Sequence, residues 1–93
     1  MISKVIDGYR YWLSDKAGKK LKVLVDGKWI YFGDSKYQHY YDRTGLLDPS
    51  QNHNDKVRRT QYRARASKIV NKDGLLTVND VNSANYHAYR ILW

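Results

Sequence analysis

The sequence contains no cysteine and no glutamate, and only one proline and one phenylalanine, in 93 residues. Without cysteine, neither a disulfide framework nor a thiolate metal site can hold the domain together, which fits a reducing compartment. Without glutamate, the acid–base work of a carboxylate falls to aspartate alone. No apolar run approaches the ~20 residues a membrane span needs, and residues 1–13 lack the apolar core of a secretory signal. The expectation is a soluble chain with no membrane partner. Its length suits one domain, residues 1–93, with one modest core.

What the sequence does contain is positive charge and polar aromatics. Lys and Arg number 17 against 9 acids, for a formal net charge of +8. Such an excess repels itself in the folded monomer, and an acidic partner relieves it. Phosphate backbones are the commonest such partner, because each neutralised phosphate releases counterions. Nine Tyr and three Trp combine apolar area with a polar handle and suit half-exposed faces.

The clearest element spans residues 21–32, where β-rich runs at 21–25 and 28–32 flank Asp26-Gly27. Asp-Gly between such runs marks a type I′ hairpin, since both central residues need positive φ. The two-residue loop sets Val25 against Lys28, Leu24 against Trp29, Val23 against Ile30, Lys22 against Tyr31 and Leu21 against Phe32. By alternation, Leu21, Val23, Val25, Ile30 and Phe32 form a core face. Lys20, Lys22, Leu24, Trp29 and Tyr31 form a basic, aromatic one. Residues 9–13 supply a third strand, and 14–19 turn the chain back. The fold class that follows is α+β: a small antiparallel meander of two to three strands with two helices packed on it.

Downstream, Asp34 or Ser35 is expected to cap a short helical turn over 36–41, followed by a loop over 42–52. A long helix is expected over 54–70, with Asn52 or Asn54 as N-cap, Asp55 in its first turn and Lys68 in its last. Its inward stripe is Tyr62, Ala66, Ile69 and Val70. Lys56, Arg59 and Arg63 fall on one flank of that stripe, and Arg58 and Arg65 on the other. Residues 75–78 are ambiguous. Asn82 or Ser83 caps a last helix, 84–92, with Ala84, Ala88, Ile91 and Leu92 inward.

Two candidate surfaces emerge. The helix carrying Lys56, Arg58, Arg59, Arg63, Arg65 and Lys68 is nearly single-signed, whereas an ordinary solvated face mixes signs. Arginine forks suit phosphates or carboxylates. The second surface is the hairpin face with Lys20, Lys22, Trp29 and Tyr31. Interleaved cations and rings bind single strands on sheets, but Trp29 and Tyr31 could equally be core beneath the last helix. Tyr37, His39, Tyr40 and Tyr41 form a cluster that either stacks bases or plugs the edge of the core.

An enzyme is not expected. His39, His53 and His87 fall in no metal-ligand spacing, Gly27, Gly33 and Gly45 are isolated turn glycines rather than a phosphate loop, and no nucleophile has a recognisable base. No cofactor or metal is called for.

The run Gly18-Lys19-Lys20-Leu21-Lys22-Val23, followed by Gly27-Lys28-Trp29-Ile30-Tyr31-Phe32-Gly33, resembles the hairpin of a family of small basic proteins encoded by large DNA viruses and some phages. The resemblance extends through the Tyr-rich segment 37–41, through His53, Asp55, Arg58, Arg59, Tyr62 and Arg65, and to Ile91-Leu92-Trp93. Tyr31 stands where the family often has His, and segments 44–52 and 71–82 differ. The resemblance implies a viral or phage origin and a place in the host cytoplasm or the virion. The partner is then nucleic acid, DNA or RNA, or else an acidic host or virion protein.

Overall fold

Two Asp-Gly turns organise the sheet. In the computed structural model, which describes residues 2–93, Asp26 and Gly27 take φ of 49° and 79°, the left-handed values a type I′ turn requires. They join β3 (Lys19–Val25) to β4 (Lys28–Asp34) in the register the two-residue loop dictates, from Val25↔Lys28 to Leu21↔Phe32. Asp7 and Gly8, at φ 53° and 85°, repeat the device between β1 (Ser3–Ile6) and β2 (Tyr9–Leu13). The sheet therefore has four antiparallel strands in the order β1-β2-β3-β4, rather than two to three. Four residues with two apolar side chains carry little period-2 signal, so β1 is visible only through the dipeptide after it.

Leu21, Val23, Val25, Ile30 and Phe32 are all buried, with Tyr11 beside them. Burying each such large apolar side chain contributes about 2 kcal/mol. Over them lies α2 (Ala84–Ile91), started by the Ser83 hydroxyl, which accepts from the Asn85 amide. Ala88, Ile91 and Leu92 face the sheet, but Ala84 is exposed and His87, wholly buried, takes the expected fourth place. The His87 Nε2–H donates to the Val81 carbonyl at 2.8 Å. That leaves Nδ1 as acceptor for the Tyr11 hydroxyl, also at 2.8 Å. Both polar ends of a core histidine are thus satisfied. Burial lowers the pKa of His87 and raises that of the Tyr11 hydroxyl.

The first helix, α1 (Lys56–Ala66), is shorter at both ends than the expected 54–70. Asp55 is its N-cap, its carboxylate accepting from the Val57 and Arg58 amides, and Asn54, at φ 55°, bars extension upstream. At the other end Thr77 captures the Ile69 carbonyl through both its amide and its hydroxyl, and Val70 bridges to Leu76 around a turn at 71–74. Ile69 and Val70 are therefore exposed rather than part of an inward stripe, Lys68 lies in the turn beyond the helix, and only Ala66 of α1 is buried. Residues 36–41 are not helical. The Asp34 carboxylate accepts from the Lys36 amide, and the chain then runs out to a bridge between His39 and Asn52.

His39 is as buried as His87. Lys20 Nζ donates to its Nδ1 at 3.0 Å, and its Nε2–H donates to Asn52 Oδ1 at 2.6 Å. Burial and the neighbouring Lys20 charge lower its pKa. Among the described residues, no helix is long and apolar enough to cross a membrane.

Two predictions follow from this packing. At Gly33, φ is +79° and an added Cβ would lie 3.0 Å from the Leu92 side chain and 3.1 Å from Lys20 Cβ, whereas Gly45, at φ +70°, faces open space. Gly33→Ala should cost about 2 kcal/mol or more and Gly45→Ala about 1 kcal/mol; equal losses of Tm would contradict the close approach of Leu92. Second, His39 and His87 hold fewer protons folded than unfolded once the pH falls below the unfolded value of about 6.5. Their contribution is present above that pH and is lost below it, by at most about 1.4 kcal/mol per pH unit per histidine. Tm should fall between pH 7 and 5.5, and a flat profile would show that neither ring is held neutral.

Candidate nucleic-acid interface

Helix α1 buries little apolar surface, so its position comes from the flank that carries Arg59 and Arg63. The Nε–H groups of both donate to the main-chain oxygen of Trp93, at 2.7 and 3.1 Å. The Arg59 guanidinium lies 4.8 Å from the Tyr40 ring centre and that of Arg63 lies 4.4 Å from Tyr89. Tyr62, three residues after Arg59 and next to Arg63, stacks on Trp93 with ring centres 4.2 Å apart and planes 8° from parallel. Cation–π contact and a shared main-chain oxygen hold both arginines in place, and with Arg43 and Arg90 they line a groove of about 310 Å³.

Arg58 and Arg65 project on the opposite flank, as the helical spacing predicts. Both are exposed, and with Lys20 they line a cleft of about 420 Å³ between α1 and the hairpin end where β3 begins and β4 ends. Arg58 donates to Gln38 Oε1 at 3.3 Å. Lys56 is exposed at the start of the helix.

Among the described residues, no aspartate forms an ion pair with this helix. Among the described residues the ion pairs are Lys22 with Asp15, and Arg43 and Arg90 with Asp7 at 3.9 Å each. None involves an α1 cation. The N-terminal carboxylate neighbour, Asp55, is occupied by backbone amides as the cap.

The second predicted surface is divided. Lys22, Trp29 and Tyr31 share the sheet face that α2 does not cover, so Trp29 and Tyr31 are not core beneath the last helix. Trp29 is 46% exposed and makes an edge contact with Trp12, with centroids 5.4 Å apart. Lys22 Nζ lies 4.5 Å over the Trp29 ring, pairs with Asp15 and is itself largely buried by these neighbours. Tyr31 donates to Asp15, which raises the Tyr31 pKa and holds the Asp15 carboxyl below its usual range. Lys20 belongs to the other surface. The ladder passes from Lys19↔Asp34 to Leu21↔Phe32 with Gly33 in the left-handed region between them, and there Lys20 swings to the cleft, where its Nζ bonds the Tyr37 carbonyl and His39. A positive-φ residue interrupts the pleat, which strict alternation cannot anticipate.

The aromatic cluster is split in the same way. Tyr37 and Tyr41 are 66% and 52% exposed, Tyr40 lies beneath Arg59, and His39 is buried. Residues that sequence reasoning did not assign to an interface are Arg43 and Arg90, Gln38 and Gln61, and Trp93. Arg43 follows Asp42 and Arg90 stands between Tyr89 and Ile91, so neither belongs to a run of cations, and only their meeting in one groove marks them. His53 Nδ1 accepts from the Asp55 amide at 2.9 Å, so the proton sits on Nε2, a buried atom without a hydrogen-bond partner. Its ring lies 5.2 Å from Trp93.

No family model, no curated protein and no solved structure matches the chain.

The two flanks of α1 should separate in stability measurements. Removing the Arg59 and Arg63 side chains together (Arg59→Ala, Arg63→Ala) breaks two charge-assisted bonds to Trp93 and should cost about 1–3 kcal/mol. Removing Arg58 and Arg65 should change stability by no more than about 0.5 kcal/mol. Denaturant midpoints of the two double variants test this, and equal midpoints would contradict the anchoring role of Trp93.

Proposed function

We propose that the protein binds nucleic acid, DNA or RNA, along α1 and with little sequence specificity. The observation that carries this reading is a helix with five cations between residues 56 and 65 and, among the described residues, no aspartate paired with any of them, flanked on each side by an open basic groove. Arg59 and Arg63 are held rigid, which reduces the entropy lost when a phosphate binds. Arg58 and Arg65 are exposed, and Arg58 is held only by its bond to Gln38. The exposed cations are in place for phosphates, and nothing in their arrangement is shaped to read base pairs. The resemblance to small viral and phage proteins supports a genome-associated role, in the host cytoplasm or the virion.

A second reading is supported by the open sheet face, where Val5, Leu24 and Trp29 are 48%, 44% and 46% exposed. Scattered apolar residues need no explanation, but a face bearing Trp, Tyr and aliphatic side chains together suits an anchor for a protein partner, such as an acidic host or virion protein.

Fluorescence anisotropy with random-sequence DNA and RNA tests both readings. About four phosphate contacts give a slope of log K against log salt near −3 to −4, hence a loss on the order of 100-fold between 50 and 200 mM salt. Replacing Arg58, Arg59, Arg63 and Arg65 with Gln should flatten that slope, and Trp29→Ala should leave it unchanged. No micromolar binding at 50 mM salt would sink the nucleic-acid reading and leave the sheet-face reading in its place.

A further inference from the structure

We propose that the cleft between α1 and the β3–β4 hairpin seats one nucleotide of an unpaired strand, phosphate and base together. The inference rests on the nucleic-acid reading above and narrows it to single strands.

The first argument is an uncompensated cation. Lys20 is half-buried, and its ammonium bonds only neutral acceptors, the Tyr37 carbonyl and His39 Nδ1. Among the described residues no carboxylate lies within ion-pair distance of it, and burial lowers its pKa by more than the charges of Asp34 and Asp42 raise it. A half-buried ammonium without a counter-ion is costly. Arg58 and Arg65 line the same cleft, against one acid, Asp34, whose Oδ1 accepts from the Lys36 amide. Three cations facing one acid, with the most buried of them unpaired, favour an anion in the cleft. His39 cannot supply the charge balance, because an imidazole is either neutral or cationic.

The second argument is the wall. A simple phosphate site has no use for aromatic surface, yet the stacked Tyr62–Trp93 pair lines this cleft, and Tyr37 stands 66% exposed at its edge. Every base has a π-face, so stacking on such rings tolerates any sequence. The side-chain amides of Gln38 and Gln61 lie at the same cleft; the Gln38 oxygen accepts from Arg58 and leaves its NH2 to donate, while the Gln61 amide can both donate and accept, which suits the edge of any base. The volume, about 420 Å³, falls in the range of small-ligand sites. A duplex keeps its bases inside the stack and offers none to such a cleft, so only an unpaired nucleotide can use cations, rings and amides at once.

The test is a titration of the full ¹⁵N-labelled chain at 50 mM salt with adenosine 5′-monophosphate, adenosine and inorganic phosphate in parallel. The nucleotide should move the side-chain amide resonances of Gln38 and Gln61 saturably in the millimolar range or below, with adenosine and phosphate each about tenfold weaker or more. Gln61→Leu, at an exposed α1 position, should weaken the nucleotide by about tenfold while leaving the salt slope for long oligonucleotides unchanged. Single-stranded oligonucleotides should displace the nucleotide, and duplexes of equal length should not. Phosphate binding as tightly as the nucleotide would overturn the proposal in favour of a plain anion site. Shifts confined to the Trp12 and Trp29 indoles would overturn it in favour of the sheet face. If random oligonucleotides bind but Gln38 and Gln61 do not respond to the nucleotide, the cleft alone is disproved; if neither binds, the nucleic-acid reading falls with it.

Discussion

The basic surface of this protein depends on the last residues of the chain. Leu92 and Ile91 are locked into the core, and their carbonyls receive the amides of Tyr40 and Tyr41, and of Arg43. The next residue, Trp93, takes Tyr62 on its ring and Arg59 and Arg63 on its main-chain oxygen. One short segment therefore ties the sheet, the loop after β4 and the Arg-rich helix to one another. A helix with a single buried alanine cannot be held by apolar burial, because too little surface leaves water. Stacking and charge-assisted hydrogen bonds replace that term, and they position cations as a by-product of holding the helix.

The composition of the acids explains why no aspartate pairs with those cations among the described residues. All nine are aspartates, and most of them serve the backbone. Asp7 and Asp26 occupy left-handed turn positions, Asp48 and Asp55 cap helices, Asp34 and Asp80 accept from amides two residues on, and buried Asp42 accepts from the Thr44 amide and hydroxyl and from the Leu47 amide. A short carboxylate reaches its own neighbouring N–H groups, which is why Asp favours caps and turns. A Glu one methylene longer would reach across a helix surface to an i+4 cation instead. With no Glu present, α1 has no intrahelical counter-ions. The net charge of +8 is thus a concentrated field rather than a diffuse one.

The helical and open faces of the sheet divide the aromatic residues by environment. Tyr9, Tyr11, Tyr86 and Phe32 gather around His87 under α2, where the hydroxyl of Tyr11 finds its partner within the core. Trp12, Trp29 and Tyr31 sit on the uncovered face, where Lys16 and Lys22 lie over their rings. Tyr40, Tyr62, Tyr89 and Trp93 support the cations of α1. Tyr and Trp predominate over Phe because nearly every ring here has one wet or hydrogen-bonded edge.

Residues close in the chain determined what the sequence alone could show. The β3–β4 register and its core face were legible because a two-residue loop leaves no freedom in pairing, and the two flanks of α1 because 3.6 residues per turn leave none in direction. The first hairpin was written in the same Asp-Gly code, but β1 is too short to announce itself. The early end of α1 at Ala66 and the burial of His87 in place of Ala84 depend on partners such as Thr77, Asn85 and Tyr11, which no local pattern names. The same holds for the site. That cations cluster on one helix was readable from spacing; that Arg59 and Arg63 are fixed on Trp93, that Arg43 and Arg90 join them, and that Lys20 leaves the sheet face for the cleft were decided by contacts between residues 17 to 47 positions apart, where the energy of packing and of satisfying buried polar groups overrides the local pattern.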